Sequence, residues 1–464
     1  MSMYENWIAL RNELIFEATP CNFERRCEAV LARYGARFAQ ASAAEKEEIA
    51  QLLADAAADL MSYLPNWTLR AKTQKDPVSG ETLKRQADAF LAAVRSCGYE
   101  DKAAAAEREI ASFANSKLIR LTELAAEGVI HNYWGNDNGI GIMEAMRRGA
   151  ALVTTNPPIV NMAREACPDV FDKVRDAIKE RHPNDPAQRK ISYLTMDVVL
   201  NNARALRPIY RLSGAKLGYV NYQVSPKNYK DAGKMVEEVE FAYETMGKAL
   251  GGKPNVVFKV PGTFAALDAV KRLTAEGIGV NITVNFSVPQ CIAFAQTIES
   301  GRADLSYMTV MAGRLDGPVG EELEKAGVPD AGELARLASR LVTQRVYRDV
   351  ILKNGYRHVE ILVASLRGAW NFDASITDHG ESKIVISSFP DKAEEYDGEP
   401  LQVSPMVDVP VAEEKLAQLR KSGIFVKAYE PDAMEPEEFD DYIPVQLTLG
   451  SFIDVYGKLE EYVK

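Results

Sequence analysis

The chain is predicted to belong to the α/β class, as a (β/α)8 TIM barrel with an additional N-terminal α-helical domain. Three observations predict this. Eight short apolar runs follow Gly128, and helical patterns separate them. Several of these runs carry polar residues at every second position, as expected where one sheet face meets helices and the other lines a barrel interior. The residues before Gly128 show helical spacing and almost no strand signal.

From the N-terminus, residues 24–62 and 80–126 are rich in Ala and Glu, with apolar residues at helical spacing. Pro65 and the turn-like segment 76–80 interrupt them. Residues 1–125 are therefore expected to form a helical accessory domain, residues 126–400 the barrel, and residues 401–464 closing helices and an extension. The candidate strands are GVIHNYW, ALVTTN, KLGYVNYQV, NVVFKV, GVNITVNF, LSYMTVMAG, HVEILVAS and KIVISS. Helices are expected at 140–149, at 157–208 as two, and at 228–250, 263–276, 288–300, 331–353 and 368–376. An open doubly wound sheet is the alternative arrangement.

The stretch 255–314 is the clearest. In NVVFKV, Val256, Phe258 and Val260 share one face, while Val257 and Lys259 share the other. In the next strand Asn281 and Thr283 fall opposite Val280 and Ile282. Closing the sheet places Lys259, Asn281 and Thr283 near one another, towards the C-terminal mouth. Thr263 is the expected cap of a helix whose apolar stripe is Phe264, Leu267, Val270 and Leu273, with Gly277 as its stop. Ser287 and Gln290 form an expected capping box around Pro289. The acidic, glycine-containing segment 315–330 is expected to be a long loop, either a lid or a surface insertion.

Composition excludes several functions. The 464 residues are 47% hydrophobic and carry a formal net charge of −11, which argues against a general nucleic-acid or anionic-membrane surface. No apolar run approaches a membrane span, and the acidic start lacks a secretion signal, so a cytoplasmic location is expected. Five scattered cysteines and four isolated histidines show no metal or disulfide spacing. No metal and no cofactor is expected. Gly139 and Gly141 begin a dinucleotide fingerprint, but Glu144 stands where its third glycine belongs, and no GxxxxGK[ST] loop occurs.

The chemistry centres on Lys259. Burying an ammonium without a partner is costly, so a lysine in an apolar strand reaches water or has a function. Burial lowers its pKa and makes a neutral amine available to attack a ketone and form a Schiff base. Arg314, Ser365 and Arg367 lie at the ends of neighbouring expected strands, where two guanidinium groups and a hydroxyl suit a phosphate.

In order along residues 128–390, VTTNPP, FKVPGT, EGIGVNITVNFS, VMAGRLD and VASLRG resemble the transaldolase family of class I Schiff-base aldolases, including its fructose-6-phosphate aldolase-like members. The resemblance implies a (β/α)8 barrel acting on a sugar phosphate. It makes Lys259 the Schiff-base lysine, with Asn281 and Thr283 holding ketose and catalytic water, Asn156 positioning substrate, and Arg314, Ser365 and Arg367 binding phosphate. Asn156 also suits a simple Asn-Pro turn. Thr309 keeps a hydroxyl where transaldolases have serine.

Two positions depart from the family. Gln223 stands where a transaldolase has a glutamate contacting the water; an amide orients water but accepts no proton at neutral pH. This is similar to the cleaving aldolases, yet Met311 replaces the tyrosine expected in that branch. The acid–base aspartate has Asp137 as its candidate, with Asn132 as the competing position. The expected activity is transfer of a dihydroxyacetone unit from a ketose phosphate to an aldose. Cleavage without transfer and a catalytically reduced sugar-phosphate-binding protein are the alternatives. A homo-oligomer is suggested only by analogy with the family.

Overall fold

The computed structural model describes residues 3–70 and 77–464. It divides into two compact units. One contains the described residues up to Arg120, Met143–Ala150 and Asp397–Leu401; the other contains Leu121–Ile142, Ala151–Tyr396 and Gln402–Lys464.

The first unit includes the helices Met3–Arg11, Phe23–Gln40, Ala43–Met61, Gly80–Ser96 and Glu100–Phe113. Ser42 and Glu45 close a reciprocal capping box at the third of these. The turn expected at 76–80 lies partly outside the described residues, and within it Ser79 accepts a hydrogen bond from the Thr82 amide at the start of the next helix. A buried ionic cluster ties the unit together. Arg147 donates to Asp59 at 2.7 Å, to Glu109 at 2.9 and 3.1 Å, and to the Asp55 carboxylate at 3.2 Å. Trp7 adds a hydrogen bond to Asp59 at 2.9 Å. Burial pushes the Asp55 carboxyl up to about 6 against the pull of Arg147. Replacing Arg147 strands these carboxylates in a dry site. Arg147→Met is accordingly expected to destabilise this unit by about 3–5 kcal/mol. Urea unfolding followed by tryptophan fluorescence checks this; an unchanged midpoint would make the cluster energetically neutral.

The second unit is a closed barrel of eight parallel strands in sequence order. Its strands are β1 (Asn132–Asn136), β2 (Leu152–Val153), β3 (Tyr219–Gln223), β4 (Val256–Pro261), β5 (Val280–Thr283), β6 (Ser306–Met311), β7 (Val359–Ala364) and β8 (Ile384–Ser388). The interior is recognisable from bonds that cross it. Tyr133 on β1 meets Tyr307 on β6 through hydroxyls 2.8 Å apart, and Tyr133 donates to Glu360 on β7 at 2.9 Å. On the other face of β4, Phe258 packs at 5.7 Å from the Tyr222 ring and 6.2 Å from Tyr243 on the preceding helix, Ala232–Leu250. Period-two alternation thus places Lys259 inside.

Several local expectations need correction. The first strand begins at Asn132 rather than Gly128, because Gly128 is a left-handed turn residue with φ of 74°. Residues 157–208 hold three helices, Pro157–Ala166, Pro168–Arg181 and Ala187–Leu212. Pro168 starts the second after the non-helical Cys167, and the third runs past Pro208 because Ile209 and Tyr210 are buried beyond it. Segment 315–330 is not a long loop. Most of it continues the helix Ala312–Lys325, whose buried Leu315, Val319 and Leu323 recur every four residues. Gly317 and Pro318 signal a break that this packing overrides.

The helix expected at 368–376 is one turn, Trp370–Asp373. That at 331–353 ends at Arg345 and passes into a wider π-helical segment, Val346–Leu352. Of the expected stripe Val270 and Leu273 are buried, whereas Phe264 is exposed and Leu267 half-buried; Ala266 and Ala269 complete the buried face. Thr263 does not cap that helix: its hydroxyl donates to the Tyr229 carbonyl at 2.8 Å, while the Phe264 amide donates to Asp440 at 2.9 Å. The helix Ile443–Val463 packs Tyr456, Leu459 and Val463 into a core with Val160, Ile191, Leu194 and Val198. It therefore stands beside the C-terminal ends of β2 and β3.

Candidate active site

Lys259 lies on β4 in register with Gln223 of β3 and Asn281 of β5. Its side chain is buried, and burial lowers its pKa from the usual lysine range, opposed by Asp137. Asp137 follows β1 immediately, its amide donating to the Ser388 carbonyl at 2.7 Å. Burial raises the Asp137 carboxyl, opposed by Lys259, by the Thr154 hydroxyl that donates to it, and by Arg314. Thr154 in turn lies 2.7 Å from the Ser387 hydroxyl. Burial drives the lysine and the carboxyl towards each other in proton affinity, which makes transfer of a proton between them less costly than in water.

Asn132, the competing position, sits at the opposite end of β1. Its amide donates at 2.9 Å to the carbonyls of both Ser375 and Ile384, and it accepts from the Thr377 amide at 2.9 Å. These bonds engage it in holding the barrel floor.

Asn281 is held at both ends of its amide. It donates to Asn221 at 2.5 Å and accepts from the Thr309 hydroxyl at 2.7 Å. Asn221 escaped the sequence analysis, although it lies two residues before Gln223 on the same strand face. Thr154 lies within VTTNPP without a signal of its own, and Ser387 has no spacing that links it to Asp137.

Thr283 is buried, 4.0 Å from the Met311 sulfur. Past it, Val284 takes a left-handed φ of 52°, a strained conformation for a β-branched residue. Gln290 holds this turn: it donates to the carbonyls of Gly262 at 2.7 Å and Val284 at 3.3 Å, and accepts from the Phe286 amide at 3.0 Å. Only part of the expected capping box forms, because the Gln290 carboxamide takes the Phe286 amide rather than that of Ser287.

Asn156 caps the helix Pro157–Ala166, accepting from the Ile159 amide at 2.8 Å. The cap occupies its carbonyl oxygen and leaves the amide group for other partners. Gln223 is buried, and its Oε1 has no hydrogen-bond partner among the described residues.

Arg314, Ser365 and Arg367 come together as the sequence suggested. Burial lowers the Arg314 pKa, and the nearby like charge of Arg367 lowers it further while Asp137 opposes both. Two cations held this close suit an anion. Ser365 adopts φ of 60°, turning the chain so that its carbonyl accepts from Arg367 at 3.3 Å and from the Gly313 amide at 3.1 Å. A Cβ on Gly313 would overlap Arg367 Cγ and come within 2.8 Å of the Ser365 carbonyl oxygen. Gly313→Ala is expected to displace Arg367 and weaken binding of inorganic phosphate about 10-fold. Calorimetric titration with phosphate checks this; an unchanged affinity would remove the arginine pair from anion binding.

A closed parallel barrel with convergent polar side chains at the C-terminal ends of its strands is the architecture of a (β/α)8-barrel enzyme. Comparison with protein families matches residues 141–380, just over half of the chain, to transaldolase/fructose-6-phosphate aldolase. A transaldolase of Neisseria meningitidis serogroup A is 29% identical over 291 residues, covering 54% of this chain and 81% of that protein. One from N. meningitidis serogroup C is 28% identical over 329 residues, covering 62% and 90%. Transaldolase 2 of Nostoc is 32% identical over 211 residues, covering 41% and 51%. The chain belongs to the transaldolase/fructose-6-phosphate aldolase family. The matched span contains every candidate site residue except Asp137, four positions before it, and the competing Asn132.

Proposed function

We propose that this enzyme transfers a three-carbon dihydroxyacetone unit from a ketose phosphate to an aldose acceptor through a Schiff base on Lys259. The observation that carries the proposal is the buried lysine facing Asp137 beside a paired-arginine anion site. The neutral Lys259 amine adds to the ketose carbonyl, and loss of water leaves an iminium. Asp137 takes the proton of the C4 hydroxyl as the C3–C4 bond breaks. The electron pair of that bond is drawn into the iminium, giving an enamine that then attacks the acceptor aldehyde. Arg314, Ser365 and Arg367 hold the phosphate, while Asn156, Asn281 and Thr309 orient hydroxyl groups. Thr283 and Gln223 orient the water of Schiff-base formation and hydrolysis. No cofactor enters this scheme, and a role in cytoplasmic pentose phosphate metabolism is consistent with it.

A second reading is cleavage without transfer, favoured by Gln223 at the position where a transaldolase has a carboxylate. Incubation with fructose 6-phosphate and sodium borohydride, followed by intact-mass analysis, tests the chemistry. A three-carbon adduct supports the proposal. Dependence of turnover on an added aldose then separates transfer from cleavage. Absence of an adduct with a panel of ketose phosphates would leave a sugar-phosphate-binding protein.

A further inference from the structure

Gln223 buries a side-chain oxygen that has no hydrogen-bond partner among the described residues, and the buried Tyr456 hydroxyl has only the Ser225 hydroxyl beside it. Their exposures are 8% and 3%. Both line one small cavity together with Asn156, Ser192, Tyr222 and Glu238. Its volume is about 10 Å³, about the space one water molecule needs. Buried oxygens short of partners around such a space are the pattern that an ordered water satisfies.

Glu238 also lines the cavity. One of its carboxyl oxygens accepts from the Ser225 amide at 3.0 Å, and the other from Tyr222 at 3.2 Å and Ser192 at 3.4 Å. Burial raises its pKa, so that it retains a proton more readily than an exposed glutamate. The buried Ser225 hydroxyl beside it lies next to the Tyr456 hydroxyl. The titratable groups around Glu238 are Tyr222 from β3, Tyr456 from the helix Ile443–Val463, Arg189 from the helix Ala187–Leu212 and, on its own helix, Lys234 and Glu237, which line a second cavity with it. Arg189 and Lys234 are the cations among them.

We propose that this cavity holds a water through which Glu238 exchanges protons with the candidate active site, in place of the carboxylate that Gln223 lacks. The inference rests on the Schiff-base reading above. When the Lys259 carbinolamine loses water, its C–O bond breaks, the electron pair leaves with oxygen, and that oxygen takes a proton from the water at Gln223. The water recovers a proton from the Glu238 carboxyl, directly or through the Tyr456 hydroxyl, leaving a carboxylate. On hydrolysis, the water that adds to the iminium carbon releases its proton along the same route back to Glu238. The cycle closes without an external acid or base. Glu238 acts at one remove from the substrate, and Gln223 and Tyr456 position the intervening water.

The test is the rate of borohydride-trapped adduct formation at Lys259 as a function of pH, measured for the wild type, Glu238→Gln, Tyr456→Phe and Glu238→Gln/Gln223→Glu. In the wild type the rate should fall as pH rises through the Glu238 pKa, because the proton donor is lost. Glu238→Gln should be slower by about 10²-fold and lack that fall. Tyr456→Phe, which removes only a hydroxyl, should be slowed to a lesser degree. Gln223→Glu should recover at least 10-fold in the Glu238→Gln background by restoring a carboxyl beside the water. Wild-type rates in Glu238→Gln and Tyr456→Phe would overturn the relay. So would a slow Glu238→Gln that keeps the pH dependence and gains nothing from Gln223→Glu, which is the behaviour of a merely structural glutamate. If the wild type forms no adduct, the Schiff-base reading fails and this inference falls with it.

Discussion

Lys259→Met is expected to abolish the borohydride adduct and to lower turnover about 10⁴-fold or more, the scale seen when a nucleophile is removed. The thioether nearly matches the length of the lysine stem but has no nitrogen to attack a carbonyl. Stability should not fall in step. Lys259 is buried, and burial disfavours its charge, so an apolar side chain of similar volume relieves a desolvation penalty. Intact-mass analysis after trapping and a thermal melt on the same sample separate the two effects. A variant that still forms the adduct would place the Schiff base on another lysine.

Asp137→Asn is expected to reduce kcat by about 10²- to 10⁴-fold, the usual contribution of a positioned general base. The amide keeps the shape and can still meet Thr154, but it accepts no proton at neutral pH. The direction of the pH effect follows from burial. Because the carboxyl is raised, the form able to accept a proton is lost as pH falls through a value above the ordinary carboxylate range. Activity should show an acidic limb there, and the amide variant should lack it. The stability effect has the opposite sense. A folded pKa above the unfolded one means that the native state binds the proton more tightly, so stability falls as pH rises from the unfolded pKa to the folded one. Asp137→Asn removes that penalty, and the variant should be at least as stable as the wild type at neutral pH. Rate profiles and melts across the same pH range check both signs; an unchanged kcat would remove Asp137 from the chemistry.

The barrel was legible because its signals are local. Alternation along β4 and β5 put Lys259, Asn281 and Thr283 on one face before any tertiary contact was known. Arg314, Ser365 and Arg367 were legible for the same reason, as residues at strand ends whose positions the eight-fold repeat dictates. Helix boundaries were less so. The Gly317–Pro318 pair carries a strong break signal, yet Leu315, Val319 and Leu323 continue the helix because their burial outweighs local propensity.

By itself, then, the amino-acid sequence determined the fold class and the inward face of the central strands, both of which depend on periodicity and residue identity. Only the tertiary structure put Asp137 and Asn132 at opposite ends of β1. The length of one strand separates the end that meets Lys259 and Arg314 from the end that closes the barrel floor. It also brought Glu238 and Tyr456 to Gln223, from helices that neither spacing nor motif connects to it. Distances between residues far apart in the chain are set by packing, and no local pattern encodes them.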